Sequence, residues 1–269
     1  MIFVRDKGQM CNNILQYGHL YAWGREHGRA TVSMRFAYKD PFFAISESRH
    51  HNFAMYLAGK WGAGLGLLPV VDFEEGCDPD ALAKRLEKHR HVVARGWYAR
   101  FYDLFLKYRG EITDMFAIKE AITAPVKARM QEIAPQGETL RLGVHIRRGD
   151  YARWMGGRYC YGDEVYAAYI KAILESLGGR KVAVFLSTND PGVDEELFRQ
   201  LTGCREVYNL RGGAADDLCM LSECDYLVGP PSTFSLVAAM YRDLPLCRMM
   251  TPDANVDFER FDTLFRKIV

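Results

Sequence analysis

Leu140-Arg-Leu-Gly-Val-His-Ile-Arg-Arg-Gly-Asp-Tyr151 carries the reading of this chain. Its first half, Leu140 to Val144, is an apolar run with few polar interruptions, which predicts a strand buried in a parallel sheet. His145, Arg147, Arg148 and Asp150 then arrive together where such a strand should surface. Ligands of open α/β sheets bind at the carboxyl ends of strands. Successive side chains of an extended segment alternate in direction, so one of Arg147 and Arg148 should face a ligand while the other ties down the loop. A guanidinium fork matches a phosphate or carboxylate in bidentate fashion, at about 1.5–3 kcal/mol per charged hydrogen bond. An Arg–Asp ion pair at a strand end is the competing reading, and these residues alone leave both open. Arg148-Gly-Asp150 also matches an integrin-type tripeptide, but three residues match by chance too often to carry a function.

Downstream, Val165, Ala168, Tyr169, Ala172, Ile173 and Leu177 recur on one helix face, and Gly178-Gly179 stops the pattern. Strands are predicted at Lys181–Leu186, Glu206–Leu210, Asp225–Val228 and around Leu246–Met249, with helices between them. Five strands alternating with helices imply a right-handed, parallel, doubly wound domain. Upstream, Ile2-Phe-Val4, a polar loop, a helix ending at Gly28 and a strand over Ala30–Met34 open a Rossmann-like half. Asn12 and Asn13 either line a cleft or cap that helix. Residues 114–134 read as a long helix, and Pro135-Gln-Gly137 is the expected domain boundary, giving domains 1–137 and 138–269.

Several tempting motifs fail on physical grounds. His50 and His51 are adjacent, so their side chains diverge and cannot chelate together. Gly62-Ala-Gly-Leu-Gly66 has the wrong spacing for a dinucleotide fingerprint and reads as a turn. Asp78-Pro-Asp80 resembles a metal-binding DxD, but Asp before Pro is also how a helix begins, and a helical pattern follows. Trp97 to Phe105 is helical core or the wall of an acceptor site.

A net charge of +1 gives no bulk attraction to nucleic acid or an anionic surface, so an anionic ligand needs a local cluster. Seven cysteines without a CxxC pair argue for reduced thiols rather than a disulfide frame or zinc site. No apolar run approaches the ~20 residues of a membrane span. The expected location is cytoplasmic, with attachment to the inner membrane's surface left open. The loops 145–151, 187–191 and 229–235 should gather at strand ends. Ser232-Thr-Phe-Ser235 opens a helix whose amides and hydroxyls suit an anion. Asp217 is a helix cap or an acceptor for two hydrogen bonds from a guanine edge. Residues alone thus give a nucleoside-diphosphate cleft.

His145-Ile-Arg-Arg-Gly-Asp-Tyr151 resembles the HxRRxD motif of GDP-fucose-dependent fucosyltransferases, and is most similar to the α-1,2-fucosyltransferase family, glycosyltransferase family 11. Three more blocks agree in order: Lys7 to Tyr17, Ser187 to Pro191, and Asp217 to Asp225 with Ser232 to Ser235. The resemblance implies two Rossmann-like α/β domains with parallel sheets facing across a cleft (GT-B-like). It also implies GDP-β-L-fucose as donor, a glycan acceptor, inversion at the anomeric carbon, and no metal or other cofactor. By position, Arg147 would grip the β-phosphate. Ser232, Thr233 and Phe234 would line the diphosphate and fucose, and Asp217 and His145 the guanosine end. Asn12 would reach the donor from the first domain, and Asp190 would organise the sugar-nucleotide loop. Asp150 is the motif carboxylate nearest to a general base, or else an arginine's partner. Gln9 and Cys11 replace two family glycines, Asn189 an aspartate and Ala238 a common tryptophan, which marks a divergent member. The alternatives are a related transferase with another donor or acceptor, or a non-catalytic nucleotide-sugar-binding protein.

Overall fold

All three side chains of Ile2–Val4 (β1) are buried, and the expected helix runs from Met10 to Glu26 (α1). It stops where Gly28 takes φ +61°, the left-handed conformation that glycine supplies without steric cost. Thr31–Ser33 (β2) follows, then Phe53–Gly64 (α2), Val70–Asp72 (β3), Pro79–Glu87 (α3), Val92–Arg95 (β4), Tyr102–Lys107 (α4) and Arg109–Met115 (α5). The four strands pair in parallel in the order β2-β1-β4-β3. The sequence reading left α2 and β3 unassigned. Of the glycine run expected as a turn, Gly62 to Gly64 instead close α2, and the turn falls at its end, on Leu65 and Gly66, with φ +71° at Gly66. Asp78 does cap α3: its Oδ1 accepts the Asp80 N–H at 3.0 Å, with Pro79 in the first turn. His51 is a core residue; its Nε2 accepts the Ser33 N–H at 3.0 Å, and burial pushes its pKa down to about 4.

The computed structural model describes residues 1–267. It divides into two units after Lys119, earlier than the break expected at residue 137. The helix Glu120–Ile133 (α6) belongs to the second unit, and Arg141 is one cause. This buried guanidinium donates to the Ala134 carbonyl at 2.8 and 2.9 Å and to Gln131 Oε1 at 3.0 Å, tying the end of α6 to the strand Leu140–Ile146 (β5).

The second unit adds Asp163–Ser176 (α7), Val182–Thr188 (β6), Glu195–Thr202 (α8), Val207–Tyr208 (β7), Ala214–Ser222 (α9), Tyr226–Gly229 (β8), Thr233–Arg242 (α10), Leu246–Arg248 (β9), Phe258–Glu259 (β10) and Phe261–Lys267 (α11). Its six strands lie in the order β10-β9-β8-β5-β6-β7. The five expected strands pair in parallel, and β10, which the sequence reading did not foresee, adds an antiparallel edge. The stripe expected on α7 is rotated: Tyr166, Tyr169, Ile170 and Ile173 are buried, whereas Val165, Ala168 and Ala172 are only partly covered. The tyrosines hold the core position because their hydroxyls reach partners, Tyr166 from the Arg147 N–H and Tyr169 to the Thr251 and Asp253 carbonyls. All seven cysteines are free thiols. No helix among the described residues is long and apolar enough to cross a membrane.

Candidate functional site

Strand order in the second unit reverses between β5 and β8, because the chain runs from β5 outward to β6 and β7 and then returns to β8 on the other side. Such a switch point opens a crevice at the carboxyl ends of the strands. The 145–151 segment leaves β5 there and the 230–232 segment leaves β8 beside it. Close approach is built in: a Cβ on Gly229 would lie 2.9 Å from the His145 carbonyl oxygen and 3.0 Å from its Cβ.

The two arginines divide their work as alternation predicts. Arg148 ties the loop: Nη1 holds Asp190 at 2.9 Å, Nη2 holds Asp163 at 2.5 Å, and Nε donates to the Tyr161 carbonyl at 3.2 Å. Asp190 also accepts the Gly192 N–H at 2.9 Å, and this bond, then Arg148, holds its carboxyl below the usual range. Arg147 is left for the crevice. Its guanidinium carbon lies 5.6 Å from the Tyr151 ring centroid, Nη2 pairs with exposed Asp150 at 2.9 Å, and Nε is buried without a partner.

Tyr151 joins this arginine to the opening of α10. Its hydroxyl donates to the Pro231 carbonyl and is hydrogen-bonded to Ser232. Ser232 caps the helix, its Oγ accepting the Phe234 N–H at 3.2 Å. Thr233 and Phe234 form the first turn of α10, at the end of a helix that carries partial positive charge. Phe234 also packs on His145, with ring centroids 5.1 Å apart. Burial, and then the charge of Arg147, push the imidazole down to about 3, so His145 is neutral at working pH. Its Nδ1 is buried without a partner. A buried polar atom left unpaired costs about 1–3 kcal/mol, and each such atom in a native fold calls for an explanation.

Asp217 opens α9 but does not cap it. Asp216 does that, accepting the Gly213 N–H at 2.9 Å. Asp217 instead accepts from Ser187 Oγ at 2.9 Å, on the residue paired with His145. Burial, only partly offset by that bond, raises its carboxyl to about 6. Asp217 helps line a cavity of about 390 Å³ with the apolar Pro125, Val126, Ile133 and Leu210, with Tyr208 and Asn209, and with the charged Arg129, Glu195 and Asp216. That volume suits a flat heteroaromatic base with its sugar.

Sequence reading missed the α6 wall of this cavity, because the domain break was set beyond α6. It also missed Tyr151 as the bridge and Arg248, which pairs with Gly229 and carries a buried Nη1 without a partner. Strand register gives the signal for Arg248: a charge at the last position of an otherwise apolar strand.

In the first unit, Asn13 ties down the loop before α1. Its Oδ1 accepts the Lys7 N–H at 2.9 Å and its amide donates to the Gln9 carbonyl at 2.8 Å. Asn12 lies against Gly8, where an added Cβ would meet its amide nitrogen at 2.5 Å. Gly8, with φ +76°, supplies the one left-handed residue of the loop, while Gln9 sits at φ −84°, which any residue adopts.

A family model described as Glycosyl transferase family 11 matches residues 89–246. Among curated relatives, the chain is 25% identical to mouse galactoside 2-alpha-L-fucosyltransferase Sec1, across 89% of this chain and 64% of that protein. It is 22% identical to mouse galactoside alpha-(1,2)-fucosyltransferase 2, across 88% of this chain and 67% of the relative. The chain thus spans about two thirds of the length of these relatives. Among solved structures, an Arabidopsis thaliana FUT1 variant in complex with GDP superposes with a TM-score of 0.67 at 12% identity, covering 96% of this chain and 73% of that one. The NodZ alpha-1,6-fucosyltransferase soaked with GDP-fucose gives 0.59 at 13% identity, covering 96% and 98%. These likenesses show the fold, that of the GT-B fucosyltransferases. With more than half of its residues inside the match at 89–246, the chain belongs to glycosyl transferase family 11, as a divergent member.

Proposed function

We propose that this chain transfers L-fucose from GDP-β-L-fucose to a hydroxyl of a glycan acceptor, with inversion and without a metal, and that it forms an α-1,2 linkage. One observation carries the reading: Arg147, Tyr151 and Ser232 form a continuous run of contacts from the guanidinium to the N-terminus of α10. A guanidinium and a helix start directed at one place suit a pyrophosphate. The names of the mouse relatives support the donor sugar, the linkage and a galactoside acceptor.

In this scheme the bond between the fucose anomeric carbon and the β-phosphate oxygen breaks, and its electron pair leaves with GDP. Arg147 and the α10 amides, with Ser232 and Thr233, take up the developing charge, the role a divalent cation plays elsewhere. The acceptor oxygen bonds the opposite face of the anomeric carbon, and its proton passes to a carboxylate. Asp150 is the assigned base: it is exposed beside Arg147. Asp217 accepts the guanine N–H donors at the 390 Å³ cavity, His145 and Phe234 border the nucleotide, and Arg148 with Asp190 fixes the loop. Asn12 is assigned to the donor by resemblance alone.

Calorimetry against GDP-fucose, GDP-mannose and UDP-sugars tests the donor, and NMR of the product formed on galactoside acceptors tests linkage and anomeric configuration. Binding of a UDP-sugar in preference to GDP-fucose would overturn the donor assignment. Tight GDP binding with no transfer to any acceptor would leave a nucleotide-sugar-binding protein.

A further inference from the structure

Among the described residues of the first unit, the exposed large hydrophobic side chains are Phe53 (58%), Trp61 (61%), Leu65 (72%) and Leu67 (74%). All four lie on α2 or the turn that follows it. The inward side of α2 is also apolar: Met55, Tyr56 and Ala63 pack on Phe3, Val32, Met34 and Val93. Gly59 is the helix's buried residue, so close to the sheet that a Cβ there would lie 3.0 Å from the Phe3 ring. Phe53, Ala54, Ala58, Trp61 and Gly64 face outward. A helix apolar on both sides normally lies inside a protein, and contiguous exposed apolar surface marks an interaction site.

Charge indicates what covers it. No aspartate or glutamate occurs between Glu47 and Asp72, whereas Arg49 and Lys60 are exposed there. Lys60 Nζ lies 5.5 Å from the Tyr56 ring of α2. Exposed Lys39 lies 5.3 Å from Tyr38, whose ring packs on Tyr56 at 4.3 Å. The carboxylates at the margin already have partners: Asp40 pairs with Arg35 at 2.6 Å, Asp6 accepts from the Tyr38 hydroxyl at 2.9 Å, and Glu47 pairs with Lys119 at 2.9 Å.

We propose that α2 and the Leu65–Leu67 turn dock on an anionic lipid bilayer. At twelve residues the helix is about 18 Å long, short of the ~20 residues needed to span, so it lies in the headgroup plane. Phe53, Trp61, Leu65 and Leu67 enter the acyl boundary, and Arg49 and Lys60 bury their stems while their heads reach lipid phosphates. A protein partner fits less well, because protein interfaces exclude lysine from their centre.

The test is sedimentation of the full chain with vesicles of phosphatidylcholine alone and with about one third phosphatidylglycerol. The wild type should bind the anionic vesicles, and raised salt should weaken that binding. The double substitution W61S with L67S should lower partitioning more than tenfold while leaving far-UV circular dichroism and the melting temperature unchanged. K60E, a single exposed charge reversal, should lower it on anionic vesicles with the same fold controls. Failure of the wild type to bind, or equal binding to both vesicle types, overturns the proposal. So does a concentration-dependent dimer in analytical ultracentrifugation that the double variant abolishes, since the patch would then join two copies.

Discussion

Asp217→Asn should make the free protein more stable and its complex with GDP much weaker. The carboxyl is raised from 3.8 to about 6, chiefly by burial. At about 1.36 kcal/mol per pH unit this corresponds to at most about 3 kcal/mol of folding stability. Asp217 keeps some solvent contact, so about 1–3 kcal/mol is the working range. The folded state binds the proton more tightly than the unfolded chain. Stability therefore falls as pH rises from about 4 through 6, and the penalty is constant above that. Asparagine removes the charge and keeps an oxygen for the Ser187 hydroxyl. At pH 7.5 the variant should melt higher by roughly 3–8 °C, and the gain should shrink towards pH 5, where the wild-type carboxyl is itself protonated. GDP should bind at least about 10²-fold more weakly, since an amide that replaces one acceptor with a donor meets the guanine N–H groups with an N–H. Melting curves from pH 5 to 8 with calorimetric GDP titrations measure both effects. A variant that is less stable at pH 7.5, a gain that does not change with pH, or GDP affinity equal to wild type would refute the reasoning.

Arg147→Ala should lower turnover by about 10²–10³ with an unchanged melting temperature, because the side chain's ion pair is with an exposed carboxylate; near-normal turnover would remove it from the mechanism. Arg148→Ala should instead destabilise the fold by about 2–4 kcal/mol, since it strands Asp163 and Asp190 around a guanidinium only 18% exposed. An unchanged denaturant midpoint would show that the loop does not depend on this arginine. EDTA should leave transfer rates unchanged; strong inhibition restored by a divalent cation would bring a metal into the mechanism.

Most of the second unit was legible because its strands are buried on both faces and separated by clear stop signals, such as Gly178-Gly179 and Gly203. The first unit hid α2 for the opposite reason: with both its faces apolar, the helix lacks the periodic contrast that separates helix from loop. The units divide earlier than Pro135-Gln-Gly137 because α6 stays with the second unit, partly through Arg141, whose guanidinium reaches back across that break to Gln131 and Ala134. Alternation along the strand did foresee that Arg147 and Arg148 take different roles, but which of them ties the loop was not legible, since it depends on Asp163 and Asp190 lying beside Arg148. Local order could not resolve Asp216 from Asp217, where capping geometry decides. Asn189 shows why one departure from the family is tolerated. Its amide accepts the Arg148 N–H at 2.9 Å and donates to the Arg148 carbonyl at 3.1 Å, a pairing an aspartate cannot make.

Asp150 can be separated from a mere partner of Arg147 by the sign of one effect. The exposed pair at 2.9 Å contributes about 0–1 kcal/mol, whereas each charged hydrogen bond from Arg147 to a diphosphate contributes about 1.5–3 kcal/mol. A diphosphate bound there, as proposed, should therefore win the guanidinium and release Asp150. A carboxylate released in this way would be free to take the acceptor proton, with donor binding preceding acceptor chemistry. If so, Asp150→Asn should lower kcat at least about 10²-fold while leaving GDP affinity unchanged or slightly higher, because a competitor for Arg147 has been removed. If Asp150 only orients the arginine, the same substitution should weaken GDP binding and leave kcat largely intact at saturating donor. Calorimetry and initial-rate kinetics on this variant distinguish the two, and a loss confined to GDP affinity would assign the proton to another group.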